Sequence, residues 1–136
     1  MDVIVKDFRA VDTRDEGFLA VTAQILSALS VDVGTTAREK GWHDEGHPMS
    51  FGDRIALIHS EASEALEEFR NGHAPTEVYF NDDKPDKPEG VPAELADIVI
   101  RVLDLAFFEG IDIGAAIRQK VEFNRTRPYR HGGKVL

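Results

Sequence analysis

A segment rich in proline and glycine limits what this chain can fold into more than any other stretch of it. Residues 72–92 contain four of the six prolines and two glycines. A proline inside a helix removes a backbone hydrogen bond and clashes with the preceding turn, so this segment cannot be a helix interior. We predict one long connection between helices there. Within it "TEVYF" has strand-like composition but no evident partner strand, so we predict a loop or a short ribbon.

Helical periodicity is present on both sides of that connection, because apolar residues recur there at spacings of three and four. Gly34 is expected to end or kink the first helix, with "TTAREKGW" as a short continuation. Ser50 followed by Asp53 is typical of a capping box that begins the second helix. Gly110 is expected to end the third, and Asp112 to cap the fourth. We predict helices over about 16–33, 51–71, 92–109 and 112–126.

The length of 136 residues suits one domain, and we predict a single domain over 1–136 with a flexible tail at 128–136. Hydrophobic residues make up 42% and charged residues 30%, the balance of a soluble globular protein. No long apolar run is present, so we expect no targeting or membrane-spanning segment. The chain contains no cysteine, which excludes disulfides and thiolate metal sites and agrees with a cytoplasmic protein.

The charge is unevenly distributed along the chain. The net charge is −9, but from Arg118 onward six basic residues stand against one acid, a local +5 that leaves −14 for the preceding part. Binding to a nucleic-acid backbone requires a basic surface, so no nucleic-acid partner is expected. An acidic body with a basic end suits a ligand made of metal and phosphate. A solvated acidic surface with a basic C-terminal segment would have the same charges.

Two carboxylate motifs lie beside the apolar faces of the second and third predicted helices. Glu61 and Glu64 form E-x-x-E, and Glu94 and Asp97 form E-x-x-D. Side chains three apart lie one above the other on a helix, so antiparallel packing would bring four carboxylates together. Such a group repels itself unless protons or cations neutralise it, and oxygen ligands favour Mg²⁺ or Mn²⁺. The alternative is an exposed acidic face, which is common because glutamate favours helices.

A basic edge on the fourth predicted helix complements these carboxylates. Lys120, Asn124 and Arg127 follow one another at spacings of four and three, and could grip phosphate oxygens together with a sugar or base. The alternative is that these basic residues only stabilise the helix dipole near the C-terminal end. Trp42, the one tryptophan, could stack on a base, although a single tryptophan is more often part of a core or interface.

These motifs and their order resemble the MazG-like, all-α nucleoside triphosphate pyrophosphohydrolase family. The resemblance covers about 36–134 and implies an all-α bundle of four to five helices that assembles as a homodimer or homotetramer. It implies Mg²⁺-dependent hydrolysis of NTP or dNTP to nucleoside monophosphate and pyrophosphate, as in nucleotide-pool house-cleaning. It rests on "EASE" at 61–64 and "ELAD" at 94–97, preceded by "KGW" at 40–42 and followed by "KVEFNRTRPYRHGGK" at 120–134.

The resemblance also implies roles for individual residues. Many members have a doubled glutamate where this chain has Ser60, and Glu68, one turn beyond Glu64, is a candidate substitute ligand. The implied metal ions would neutralise the triphosphate and lower the pKa of an attacking water. Carried over by position, the metal ligands are Glu61, Glu64, Glu94 and Asp97. In the mechanism hypothesised from them, the catalytic residues include Glu61, Glu64 and Lys120, and the substrate-binding residues are Lys120, Asn124, Arg127 and Trp42.

Two alternatives stay open from the sequence. A non-catalytic acidic helical module that binds cations or a protein would need the carboxylates but not the basic edge of Lys120, Asn124 and Arg127. A pyrophosphohydrolase of another substrate, such as phosphoribosyl-ATP, would keep the chemistry and change the base or sugar. The sequence does not choose between these substrates.

Overall fold

Four α-helices and a two-stranded sheet make up the computed structural model, which describes residues 13–15 and 17–129. The prediction of a mostly helical protein with four helices is confirmed, and a small two-stranded sheet accompanies the helices. Homo-oligomerisation stays a prediction. The elements in chain order are α1 Phe18–Glu39, α2 Phe51–Arg70, β1 Tyr79–Asn81, β2 Lys84–Glu89, α3 Val91–Glu109 and α4 Ile113–Arg125.

The described residues group into two compact units, and the single domain stays a prediction. One unit contains the residues up to Ala28 and those from Asp112 onward. There Asp112 caps α4 by accepting a 2.9 Å hydrogen bond from the Ala115 backbone N–H, and Ser27 Oγ donates to the same carboxylate oxygen at 2.7 Å. The other unit is Leu29–Ile111 and holds α2, the sheet and α3. Of the predicted tail, residues 130–136 lie outside the described part.

Packing of α2 against α3 forms the centre of the second unit. Ala65 on α2 and Leu103, Leu105 and Ala106 on α3 are buried there. Removing such apolar side chains from water supplies the main favourable free energy of packing. The two helices begin where the sequence predicts: Ser50 caps α2 in a full capping box, and Pro92 lies in the first turn of α3. This packing sets the two carboxylate motifs side by side.

Gly34 does not end the first helix, which corrects the predicted end near residue 33, whereas the predicted short continuation is confirmed as far as Glu39 and a kink at Gly34 stays a prediction. The helix α1 continues through Gly34 to Glu39, and Gly34 is buried. A Cβ atom added at this position would lie 2.1 Å from the Phe107 ring of α3. The glycine therefore allows close approach between the α1 backbone and an aromatic side chain. Ser30, one turn earlier, donates a 2.8 Å hydrogen bond to the Leu103 carbonyl.

The connection over 72–92 contains an antiparallel hairpin, so of the predicted loop or short ribbon the ribbon is confirmed. Tyr79 pairs with Glu89 and Phe80 with Pro88, and the register shifts before Asn81 pairs with Lys84. The partner strand has the sequence "KPDKPE", whose prolines argue against a central strand. In a two-stranded sheet both strands are edge strands. A proline is tolerated there when its nitrogen, which has no hydrogen to donate, lies on the unpaired side of the strand.

The helix α1 is long and apolar enough to cross a membrane by length and composition alone, and among the described residues no other helix meets that test. Its apolar side chains include a stripe of Val21, Ile25 and Leu29, all exposed. Length and composition are a weak indication of a membrane span, because the core helix of a soluble protein meets the same test. The expectation of no membrane partner therefore stays a prediction.

Candidate active site

Three of the four predicted metal ligands lie close together where α2 packs on α3. Glu61 comes from α2, Glu94 from the first turn of α3 and Asp97 from the next turn. One carboxylate oxygen of each lies within 4.8 Å of the others. Glu61 and Glu94 are only 6% and 7% exposed, and Asp97 is half-buried. Burial of carboxylates is costly unless they are paired or neutralised, so this arrangement differs from an ordinary solvated acidic face.

The electrostatics of this carboxylate cluster, Glu61, Glu94 and Asp97, favour a proton or a cation. Burial raises the pKa of Glu94, and the negative charges of Glu64, Asp97 and Glu61 raise it further. Burial also raises the pKa of Asp97, with repulsion from Glu61 as the next cause. Like charges in a partly buried site disfavour the ionised form of each other. A divalent cation bound among these oxygens would remove that repulsion.

Two basic side chains approach the carboxylate cluster, and neither is among the site residues predicted from the sequence. Arg101, one turn after Asp97 on α3, donates a hydrogen bond from Nε to Glu61 Oε1. Lys87 on β2 has a raised pKa, mainly because it bonds to Glu89 at 2.9 Å and also because Glu94 and Asp97 attract its charge. The four-residue spacing of Asp97 and Arg101 places Arg101 beside the motif of α3, but it gives no signal for the bond to Glu61 on α2. Lys87 lay in the segment predicted to be a loop.

The structure gives Glu64 and Glu68 other partners. Glu64 is exposed and accepts a 3.1 Å hydrogen bond from Ser60 Oγ, the residue at the position where the resemblance predicts a further glutamate. Its charge still acts on the pKa of Glu94, so it lies near the cluster. Glu68 accepts hydrogen bonds from the Tyr79 hydroxyl at 3.1 and 3.3 Å, which tie α2 to the hairpin. Neither belongs to the group of three converging oxygens, and their roles as ligands stay predictions.

A cavity of about 480 Å³ opens beside the carboxylate cluster. Asp97 and Arg101 lie on its wall together with Trp42, Lys40 and Met49. Trp42 is 60% exposed, so its indole face is available to a ligand rather than packed in a core. Mixed apolar and polar walls of this kind suit a small organic ligand. Asp97 belongs to both the cavity and the cluster, so a ligand in the cavity would touch the candidate metal site.

A buried polar network holds the wall of this cavity. His43 Nε2 and Asp104 Oδ1 share a 2.8 Å hydrogen bond, and Arg54 Nη1 lies 3.4 Å from the other oxygen of Asp104. The Arg54 guanidinium stacks over the Phe108 ring at 3.9 Å. His43 follows Trp42 directly, so this network fixes the turn that carries the tryptophan. These partners are 50 and 61 residues apart in the chain, and periodicity within one helix carries no signal for such a pairing.

The predicted substrate-binding residues of α4 are all exposed. Lys120 Nζ and Arg127 Cζ each lie 5.6 Å from the centre of the Phe123 ring, and Arg127 follows the end of the helix. Asn124 is also exposed and precedes the last residue of α4. These three side chains belong to the unit that does not contain the carboxylates. Their contact with substrate, and the catalytic role of Lys120, stay predictions.

For the metal-free protein we expect the free energy of unfolding to fall as the pH rises through the raised pKa values of Glu94 and Asp97. The native state keeps protons on these groups where the unfolded chain, with ordinary values of 4.5 and 3.8, has lost them. Their stabilising contribution is complete below the ordinary values and is lost above the raised ones. Urea unfolding between about pH 4 and pH 8 measures it.

The variant Glu94→Gln isolates this effect, because glutamine does not titrate. The lowered pKa values of Asp53, Glu77 and Asp112 make the free energy of unfolding increase with pH in both proteins. Their contribution therefore cancels when the stability of the wild type is subtracted from that of the variant. The stability of the variant relative to the wild type should therefore increase with pH. A difference that stays constant or shrinks with rising pH would contradict the repulsion between these carboxylates.

Comparison with known proteins gives one partial likeness. The chain is 47% identical over 38 residues to a dATP/dGTP diphosphohydrolase of Cyanophage S-2L. The matched segment is 28% of this chain and spans about a third of that protein's length. No family model matches the chain, and no solved structure does. The comparison thus supports in part the relationship that the motifs predict, through a segment similar to a hydrolase that acts on phosphoric anhydrides.

Proposed function

We propose that this protein is a metal-dependent nucleoside triphosphate pyrophosphohydrolase that uses Mg²⁺ or Mn²⁺ and releases a nucleoside monophosphate and pyrophosphate. The observation that carries the proposal is the carboxylate cluster, in which three oxygens lie within 4.8 Å of one another at a buried helix contact. The partial likeness to a dATP/dGTP diphosphohydrolase supports the same reaction class. A role in nucleotide-pool house-cleaning is part of this proposal.

The residues present fit a hard divalent cation. The three carboxylate oxygens lie within 4.8 Å of one another, and oxygen atoms are the ligands that Mg²⁺ takes in proteins. Glu61, Glu94 and Asp97 would hold the ion, with Glu64 near enough to Glu94 to contribute. When bound, such an ion supplies charge neutralisation for the phosphate chain and a water of lowered pKa. Burial and mutual repulsion, which raise the pKa values of Glu94 and Asp97, make their ionised forms unfavourable, and a bound cation would offset this.

The cavity beside the cluster is the proposed binding site for the base. Trp42 presents its exposed face there for stacking, and Asp97 lies where the base pocket meets the carboxylates. A base in the cavity would therefore direct its phosphate chain toward the carboxylate cluster. Lys120, Asn124 and Arg127 are proposed to hold phosphate oxygens and the sugar or base. The name of the partial relative makes dATP and dGTP the first substrates to test.

Self-association in the cytoplasm is also proposed. The exposed apolar stripe of Val21, Ile25 and Leu29 on α1 has the spacing of a helix-packing face. Covering it with the same stripe of a second copy would bury apolar surface, in agreement with a homodimer or homotetramer. Light scattering of the purified protein measures the mass, and a monomer at all concentrations would contradict this part.

The test of the function is pyrophosphate release from a panel of NTPs, dNTPs and phosphoribosyl-ATP with Mg²⁺ or Mn²⁺. We expect release that EDTA abolishes, with nucleoside monophosphate formed in equal amount. Orthophosphate instead of pyrophosphate would place the cleavage at another bond. No turnover and no nucleotide binding would favour the non-catalytic acidic module. Preferred release from phosphoribosyl-ATP would keep the chemistry and change the substrate.

The variant Trp42→Ala tests the base site. Stacking of a base on an aromatic ring is worth about 1–3 kcal/mol, so KM for the best nucleotide should rise roughly tenfold or more. Trp42→Phe, which keeps a ring, should recover most of the affinity. Because Trp42 is 60% exposed, the melting temperature should change little in either variant. An unchanged KM for Trp42→Ala would place the base elsewhere.

A further inference from the structure

The carboxylate cluster already contains a positive charge from the protein itself. Arg101 donates from Nε to Glu61 Oε1, so one of the three clustered carboxylates is paired with a guanidinium. Glu94 and Asp97 have no such bond to Arg101 among the contacts of the described residues. A divalent cation that binds this cluster would meet the guanidinium at Glu61, and two positive groups beside one carboxylate repel each other.

The surroundings of Arg101 leave it room to move. Its side chain is 36% exposed and lies on the wall of the 480 Å³ cavity, so the guanidinium has open space on that side. Asp104, one turn further along α3, faces the same cavity but already pairs with His43 and Arg54. If the Arg101 guanidinium leaves Glu61, Asp104 is therefore already occupied by its own partners and does not replace Glu61.

We propose that Arg101 is an exchangeable counter-ion that pairs with Glu61 in the metal-free protein and turns into the cavity to hold a phosphate oxygen of the substrate when the cation binds. The inference rests on the proposed function, since it takes the metal ligands and a triphosphate substrate from it. The planar fork of arginine suits this second role, because it matches two phosphate oxygens at once. Arg101 thus serves the cluster in one state and the substrate in the other.

Calorimetric titration with Mn²⁺ alone tests whether Arg101 competes with the cation for Glu61. Arg101→Gln should bind Mn²⁺ about fivefold more tightly than the wild type, because the part-exposed ion pair between Arg101 and Glu61 no longer competes with the cation for Glu61. Arg70→Gln is the matched control: it removes the same charge from an exposed pair with Glu67 on α2, and should leave Mn²⁺ affinity unchanged. Equal or weaker Mn²⁺ binding by Arg101→Gln would make Arg101 a fixed link between α2 and α3, and would overturn the proposal.

Titration with inorganic triphosphate at saturating Mn²⁺ tests whether Arg101 binds phosphate, independently of any contact with a nucleobase. Arg101→Gln should bind it roughly tenfold more weakly, because a charge-assisted contact to phosphate is lost. Arg101→Lys keeps the charge without the fork, so we expect Mn²⁺ affinity near the wild type and triphosphate affinity between the other two. Unchanged triphosphate affinity in Arg101→Gln would overturn the proposal even if Mn²⁺ binds more tightly, because Arg101 would then only repel the metal.

The outcomes separate this inference from the proposed function. Wild-type protein that binds neither Mn²⁺ nor triphosphate would overturn both. Wild-type protein that binds both ligands and releases pyrophosphate, with Arg101→Gln indistinguishable from Arg70→Gln in both titrations, would overturn the role of Arg101 alone. Thermal unfolding of each metal-free variant shows whether it is folded, and Arg101→Lys keeps the test decisive if the glutamine variant does not fold.

Discussion

Replacing Glu94 by glutamine is expected to lower metal-dependent pyrophosphate release about a thousandfold and, at the same time, to stabilise the metal-free protein. If Glu94 is a ligand of the proposed metal ion, its loss removes several kcal/mol of cation binding and transition-state stabilisation, which corresponds to a factor of this size. Steady-state pyrophosphate release measures the first effect. Urea unfolding in EDTA at neutral pH measures the second.

The opposite signs follow from one arrangement of charges. Glu94 is 7% exposed and repelled by Glu64, Asp97 and Glu61, so its ionised form costs free energy whenever no cation is present. Glutamine has nearly the same shape and no charge, so it removes the repulsion along with the ligand. A residue that served only the fold would lose stability and activity together.

Glu67→Gln is the control for this experiment. Glu67 lies on α2 close to the motif in sequence, but it is exposed and pairs with Arg70 at 2.8 Å. Exposed pairs contribute little to stability, so this variant should resemble the wild type in both measurements. A Glu94→Gln protein that is folded and retains full metal-dependent turnover would contradict the assignment of the cluster.

Local signals in the sequence were sufficient for the helices. The capping box of Ser50 and Asp53, the left-handed Gly110 and the cap at Asp112 all lie where the pattern predicts. Each acts within one helical turn, so neighbouring residues determine it. The pattern also predicts that Glu61 lies near Glu94. Two consecutive amphipathic helices pack their apolar faces against each other, and this packing brings together the carboxylates that lie beside those faces.

Pairings between residues far apart in the chain leave no such local signal in the sequence. The strand Lys84–Glu89 carries two prolines and has no apolar alternation, so its partnership with Tyr79–Asn81 left no local signal. The Arg101 contact joins residues 40 apart, and a charged stripe read along one helix does not reveal a partner on another. Glycine often ends a helix, whereas Gly34 lies inside α1 with the Phe107 ring against its backbone, a contact that no neighbouring residue signals.

That close approach predicts the second large effect, on stability. Gly34→Ala should lower the free energy of unfolding by about 2 kcal/mol, since overpacking costs up to about 3 kcal/mol and better helix propensity returns about 1 kcal/mol. The added Cβ would lie 2.1 Å from Cγ and Cδ1 of Phe107 and 2.5 Å from its Cβ, so the whole side chain must shift. Urea unfolding measures the change, and Gly52→Ala is the matched control.

Gly52 is also helical, but a Cβ there would meet only Ser50 Oγ at 3.6 Å, an ordinary contact. Gly52→Ala should therefore gain up to about 1 kcal/mol, opposite in sign to Gly34→Ala. Combining Gly34→Ala with Phe107→Leu should recover part of the loss, which a double-mutant cycle detects as coupling. The Phe107 ring stacks with His43 at 6.1 Å, and His43 holds Asp104 on the cavity wall. If Gly34→Ala were as stable as Gly52→Ala, this line of contacts from α1 to the cavity would not exist.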